Sequence, residues 1–112
     1  MVKNRVDGYE RNDDGSYSIF MTTLSWVGDG GVYTNLDDWL KWDQNFYHNV
    51  LGTAGQELVH QMEQSYSVSG NYAWGQEVET YRNLKQVSHT GSWVGFTTYY
   101  VRYPERRTSI VV

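Results

Sequence analysis

The sequence predicts an α+β fold, an antiparallel sheet accompanied by two helices. Three observations carry that expectation. Residues 34–50 place apolar side chains at helical spacing behind a capping signal. A second, shorter helical stretch opens at Thr53-Ala54-Gly55-Gln56 and runs to about residue 64. Residues 96–112 hold two β-branched and aromatic runs joined by the chain's one proline, which reads as a strand, a turn and a returning strand.

The N-terminal stretch comes first in the chain. Residues 6–9 and 16–21 have strand-like composition and flank Arg11-Asn12-Asp13-Asp14-Gly15, so a β-hairpin is expected. Asp13 and Asp14 belong to its solvated turn; no calcium-type ligand spacing surrounds them. Residues 22–27 are extended or loop. Gly28-Asp29-Gly30-Gly31 is too glycine-dense for a regular element. It lacks the Gly-Lys-Ser/Thr of a phosphate loop, so it reads as a tight bend or a close chain approach leading into a helix.

Thr34-Asn35-Leu36-Asp37 opens the first helix with a carboxylate expected at the third helical position. At about 100° per residue, Leu36, Trp39, Leu40, Phe46, Tyr47 and Val50 share one stripe. Lys41, Gln44, Asn45 and His48 face away. Asp43 interrupts the apolar stripe. A carboxylate there needs a cationic or hydrogen-bonding partner. A structural role, pinning a neighbouring loop such as residues 28–31, is preferred over a catalytic acid, because no second carboxylate or base has a matching spacing. Gly52 ends this helix. In the second helix Leu58, Val59 and Met62 form the apolar side and His60 points to solvent. Residues 66–71 are loop. Residues 72–80 alternate as a strand, with Gly75 permitting another backbone to approach. Arg82-Asn83-Leu84-Lys85 turns back. In the last strand Phe96, Thr98, Tyr100 and Arg102 take one face and Thr97, Tyr99, Val101 and Tyr103 the other.

Composition bounds the function. The chain of 112 residues reads as a single domain over residues 1–112. Five Trp, ten Tyr and three Phe are too many for a disordered chain. A net charge of −4 with interspersed signs argues against nucleic acid as a partner. No apolar run reaches the ~20 residues of a membrane span. Zero Cys excludes disulfides and thiolate metal sites without fixing the compartment. Three scattered His argue against zinc, and no cofactor is implied.

The chemistry-bearing stretch is Ser88-His89-Thr90-Gly91-Ser92-Trp93-Val94-Gly95-Phe96. Read without any relative in mind, it is a glycine-bearing tight turn. Together with three other segments it resembles the serine β-lactamase and penicillin-binding-protein-like hydrolases, in the class C β-lactamase-related branch with its esterases and D-amino peptidases. Asn4-Arg5-Val6-Asp7-Gly8-Tyr9 with Asp14-Gly15-Ser16-Tyr17 resembles that branch's Asn-Arg-Ala-x-Gly-Tyr region. Gly28-Asp29-Gly30-Gly31-Val32-Tyr33-Thr34 with Asp38-Trp39-Leu40-Lys41-Trp42-Asp43 resembles its Gly-Gly-Leu helix start. Tyr72-Ala73-Trp74-Gly75 is similar to its Tyr-Gly-Leu-Gly-Trp strand. His89-Thr90-Gly91-Ser92, with Gly95-Phe96 and Tyr103-Pro104-Glu105, resembles its Lys/His-Thr/Ser-Gly motif and following hairpin. The four agree in order and spacing over essentially the whole chain.

The resemblance implies a partial β-lactamase/transpeptidase-like fold and a catalytic wall. His89, standing where many members have Lys, would give a hydrogen bond or positive charge to a substrate carboxylate. Thr90 would line the groove and Gly91 would admit the ligand. Ser92 would supply a backbone N–H to the oxyanion hole. His in place of Lys leans toward the esterase- and peptidase-like members. The family's nucleophile comes from Ser-x-x-Lys, and no serine here has Lys three residues later. Tyr47-His48-Asn49 has the letters of the Tyr-x-Asn motif but falls on the predicted helix. The expectation is therefore a C-terminal segment of a serine hydrolase, inactive alone. The intact parent would act on a small peptide, ester or β-lactam-type substrate. Its relatives are often periplasmic or secreted. The chain stops within an apolar run, as a segment excised from something longer would. The sheet lacks the strands that complete it in the family, so either self-association of the segment or a rearranged, compact α+β fold is expected. Two readings compete: an aromatic-rich module binding peptide or glycan, and a purely structural domain.

Overall fold

The computed structural model describes residues 3–22, 28, 30–65 and 70–112. The α+β expectation holds. The elements are β1 (Tyr9–Arg11), β2 (Tyr17–Ile19), α1 (Leu36–Asn45), α2 (Gln56–Met62), β3 (Glu77–Tyr81), β4 (Leu84–Trp93), β5 (Phe96–Tyr103), a 3-10 turn (Pro104–Arg106) and β6 (Thr108–Val111). β1 and β2 make a two-stranded sheet. The other four form an antiparallel sheet in the order β3-β4-β5-β6. Among the described residues, no helix is long and apolar enough to cross a membrane.

The chain divides into two compact units. One comprises Met1–Tyr33 and Thr90–Thr98, the other Thr34–His89 and Tyr99–Val112.

In the first unit the expected hairpin forms, with Tyr9 opposite Ile19 and Arg11 opposite Tyr17. Its first strand starts later than expected, because residues 6–8 do not pair as strand. The Asp14 carboxylate accepts from the Ser16 N–H at 2.9 Å and its hydroxyl at 2.6 Å. These bonds lower the Asp14 pKa, the side-chain bond most. Gly15 takes φ of 84° in the same turn. Residues 23–27 and Asp29, on which the extended-or-loop and glycine-loop expectations partly fall, lie outside the described residues. Among the described residues, nothing lies within 4 Å of a Cβ position on Gly28 or Gly30.

The single buried residue of this unit, among those described, is Gly8. A Cβ on Gly8 would lie 2.5 Å from the Val94 carbonyl oxygen and 2.7 Å from that of Phe20. A Cβ on Gly95 would lie 2.5 Å from the Tyr9 nitrogen and 2.6 Å from the Gly8 carbonyl carbon. The two glycines admit each other's backbone. Tyr9 N–H donates to the Gly95 carbonyl at 3.4 Å, and Phe20 N–H donates to the Gly8 carbonyl at 2.8 Å.

The second unit holds the buried apolar side chains: Phe46, Val59, Ala73, Val87 and Val101. Helix α1 begins one residue later than the expected cap. Asn35 is the N-cap, its side chain accepting from Asp38 N–H at 2.9 Å while its amide donates to the Asp38 carboxylate at 3.1 Å. The helix ends at Asn45, not near residue 50. Past that point side chains take the backbone partners. Asn45 Oδ1 accepts from Val50 N–H, Gln56 Oε1 accepts from Asn49 N–H, and Gln56 Nε2 donates to the Phe46 carbonyl. The expected stripe shrinks accordingly. Leu36, Leu40 and Val50 are exposed; the covered face is Trp39, Asp43 and Phe46. In α2, Val59 is buried and His60 exposed, as expected.

Residues 72–76 do not form the expected strand. Ala73 N–H donates to the Gln76 carbonyl at 2.7 Å and Gly75 takes φ of 70°, closing a turn. Among the described residues nothing lies within 4 Å of the Gly75 Cβ position, and its φ accounts for a glycine in that turn. β3 starts at Glu77. Arg82 and Asn83, at φ of 50° and 64°, join it to β4, with Tyr81 opposite Leu84. Pro104–Arg106 and a left-handed Arg107 join β5 to β6.

Candidate functional site

Asp43 is the interrupting carboxylate of α1, and it is buried. It accepts hydrogen bonds from the Tyr100 hydroxyl at 2.6 Å and from the Ser109 hydroxyl. Among the described residues, the partners that Asp43 holds are on strands β5 and β6. Burial and the Asp43 bond push the Tyr100 hydroxyl far above its ordinary pKa. Tyr100 is thus held as a neutral donor. Burial likewise raises Tyr47, with the nearby Asp43 charge adding to it.

Arg102, 1% exposed, lies opposite Ser109 on β5. Its guanidinium donates to Glu63 and, at 3.4 Å, to Gln76 Oε1. It also stacks 3.9 Å from the Phe46 ring centroid. Lys85 reaches the other Glu63 oxygen. Burial raises the Glu63 pKa, but the bonds from Lys85 and Arg102 outweigh it and leave the carboxyl below its ordinary value. Neither cluster has the shape of a reactive site. Each charge is spent on a partner inside the fold.

The sequence motif lies along β4. His89 belongs to the second unit, where its Nε2 lies 2.9 Å from the Tyr72 hydroxyl, with ring centroids 5.8 Å apart. Both side chains are exposed. Thr90, Gly91 and Ser92 belong to the first unit. Thr90 and Ser92 are exposed. A Cβ on Gly91 would stand 2.4 Å from Thr98 Oγ1. The glycine therefore has a packing reason of its own, beside the ligand access that the resemblance implies. The stretch is strand through Trp93, and the tight turn sits at Val94 and Gly95 with φ of 29° and 82°.

A further sequence expectation changes. Tyr47-His48-Asn49 follows α1 instead of lying on it. The Asn49 amide is committed locally, donating to the Gly55 carbonyl at 2.6 Å and accepting from Leu51 N–H at 2.8 Å. Among the described aromatics, Tyr9, Tyr17, Phe20, Tyr33, Trp42, Tyr72, Trp74, Tyr81, Trp93 and Tyr99 are exposed. Sequence reasoning missed the Tyr72–His89 pair. The two are 17 residues apart, and no local periodicity links them. The described residues contain no group of three His, Asp or Glu able to hold a metal ion.

Comparison with known proteins adds no relative: no family model, no curated protein and no solved structure matches this chain.

Proposed function

We propose that this chain is the C-terminal segment of a β-lactamase-related serine hydrolase, forming one wall of a cleft that cleaves amide or ester bonds. The observation that carries the reading is the run His89-Thr90-Gly91-Ser92 on β4, beside β5 in an antiparallel sheet. His89, Thr90 and Ser92 are exposed to solvent, and this reading assigns the Ser92 backbone N–H to the oxyanion. Two more of the resembling segments acquire physical reasons. Gly8 and Gly95 are the pair whose backbones meet, and Tyr72 is the partner of His89. Among the described residues β6 pairs with β5 alone and ends the sheet, with Ile110 and Val111 exposed; in the family, strands from elsewhere in the chain complete the sheet.

The nucleophile is not among these residues, since no Ser-x-x-Lys occurs. The chain alone therefore performs no acyl transfer. A fluorophosphonate or penicillin-type probe should leave it unmodified and should acylate the longer natural polypeptide that contains it. Labelling of a serine within residues 1–112 would refute the assignment of a nucleophile-free wall.

A second reading is favoured by a specific observation. Trp74 and Trp93 are about half exposed, at 53% and 48%, as a binding module for peptide or glycan requires. Saturable binding of a glycan or peptide library member to this chain, lost on Trp74→Ala, would favour that module over the hydrolase wall.

A further inference from the structure

Strand β3 lies at one end of the four-stranded sheet and β6 at the other. The two ends differ. At β3, Val78 N–H donates to the Asn71 carbonyl at 2.8 Å and Glu77 makes an isolated bridge with Tyr72, so the chain covers part of its own edge. Glu77 and Glu79 are exposed there, and a second copy of that strand would set carboxylates against carboxylates. Among the described residues, β6 pairs with β5 alone. Thr108-Ser109-Ile110-Val111 carries neither charge nor proline, the devices that ordinarily guard a sheet edge.

The register fixes which backbone groups of β6 face outward. Tyr99 and Val112 exchange both hydrogen bonds, each at 2.9 Å. Such pairs recur at every second residue of an antiparallel ladder. With Val101 opposite Ile110 and Tyr103 opposite Thr108, the N–H and C=O groups of Thr108, Ile110 and Val112 turn toward β5. Those of Ser109 and Val111 turn away from it. Two outward residues at this spacing complement themselves about a two-fold axis. Laid antiparallel, Ser109 of one copy faces Val111 of the other, and the reverse, with a pair of backbone hydrogen bonds on each side of the axis. Ile110, 50% exposed, meets its own copy at the axis. The nearest charge along the chain, Arg107, begins three residues away. Its copy lies on the other side, about 20 Å distant and beyond the ~8 Å screening length of physiological salt.

We propose that β6 is a self-association surface whose occupant is a second copy of this chain, paired β6 to β6 antiparallel about a two-fold axis at Ile110. The dimer joins two four-stranded sheets into one continuous sheet, and its closed symmetry stops it at two copies. The strand is short, so the dimer depends on concentration. The pairing stands apart from the hydrolase reading, because it involves no nucleophile; a longer polypeptide that lays a strand of its own on this edge would displace the second copy.

Light scattering of the 112-residue chain at rising concentration tests it, with the mass expected to climb toward twice 13.1 kDa and no further. Ile110→Lys sets like charges at the axis, and Val111→Pro removes an outward N–H while sparing the ladder to β5. Each should hold the mass at one chain with an unchanged circular dichroism spectrum. The chain has no Cys, so one introduced thiol reports the register. Mild oxidation should cross-link Ile110→Cys, whose copies meet, and should leave Val112→Cys uncoupled, its copies standing about 14 Å apart along the strands. One chain mass at every concentration would overturn the proposal. So would growth beyond two copies, a dimer that survives Ile110→Lys or Val111→Pro, or cross-linking of Val112→Cys in preference to Ile110→Cys. The cross-linking decides the matter if either edge variant folds poorly.

Discussion

The two units are held by different chemistry. In Thr34–His89 with Tyr99–Val112, side chains from helices meet side chains from strands: Asp43 with Tyr100 and Ser109, Glu63 with Arg102 and Lys85. In Met1–Tyr33 with Thr90–Thr98, the described residues bury only Gly8, and what meets is backbone on backbone at Gly8 and Gly95. The first kind of packing depends on charges being matched, the second on side chains being absent. The same size of substitution should therefore fail for different reasons in the two units.

The largest effect should come from the matched charges. Arg102→Met removes a fully buried cation and leaves Glu63 with Lys85 alone. Breaking one side of a buried pair costs about 3–5 kcal/mol, read by urea denaturation followed by circular dichroism. Adding Glu63→Gln should recover part of that loss. An additive, still larger loss would show that Glu63 and Arg102 do not act as a pair.

The glycine contact should come next. Gly8→Ala forces a methyl into carbonyl oxygens, which no side-chain rotation relieves. Overpacking of this kind costs about 1–3 kcal/mol. Amide hydrogen exchange should show the loss concentrated in the unit containing residues 3–22, where Phe20 N–H bonds to Gly8. Unchanged exchange there would mean that the close approach does not exist.

Gly91→Ala is a milder case, because its obstacle is the Thr98 hydroxyl, a side-chain atom. Thr98→Ala should rescue it, with a coupling of about 1 kcal/mol in a double-mutant cycle. No rescue would return Gly91 to a purely functional role.

The smallest effect is one of pH. Glu63 is held below its ordinary pKa of 4.5 in the folded chain. Its contribution is thus fully present above that value and is lost as the pH falls through the folded-state value. Glu63→Gln should flatten the acid limb of the stability profile below about pH 4.5. An identical acid limb in the variant would remove Glu63 from the account.

Local signals made much of this fold legible. Arg82-Asn83 and Pro104-Glu105-Arg106-Arg107 are turns by composition, and the strands beside them follow by alternation. Asn35 carries a helix start in a single side chain. The helix end was not legible, because Asn45 and Gln56 settle it by bonding to backbone beyond the helix. Residues 72–76 imitate a strand in their alternation, and only the bond from Ala73 to Gln76 shows the turn. The site divides similarly. His89-Thr90-Gly91-Ser92 stands out in sequence, whereas the Tyr72 hydroxyl and the Thr98 hydroxyl that surround its members come from elsewhere in the chain.

The central claim is that these residues form the wall of a serine-hydrolase cleft whose nucleophile lies outside residues 1–112. Peptide mapping of the natural polypeptide, captured through this segment and treated with a fluorophosphonate probe, tests it most directly. The account predicts one adduct, on a serine followed three residues later by lysine and outside this segment. An adduct on Ser92 or any other serine within the segment, or no adduct at all, would contradict it.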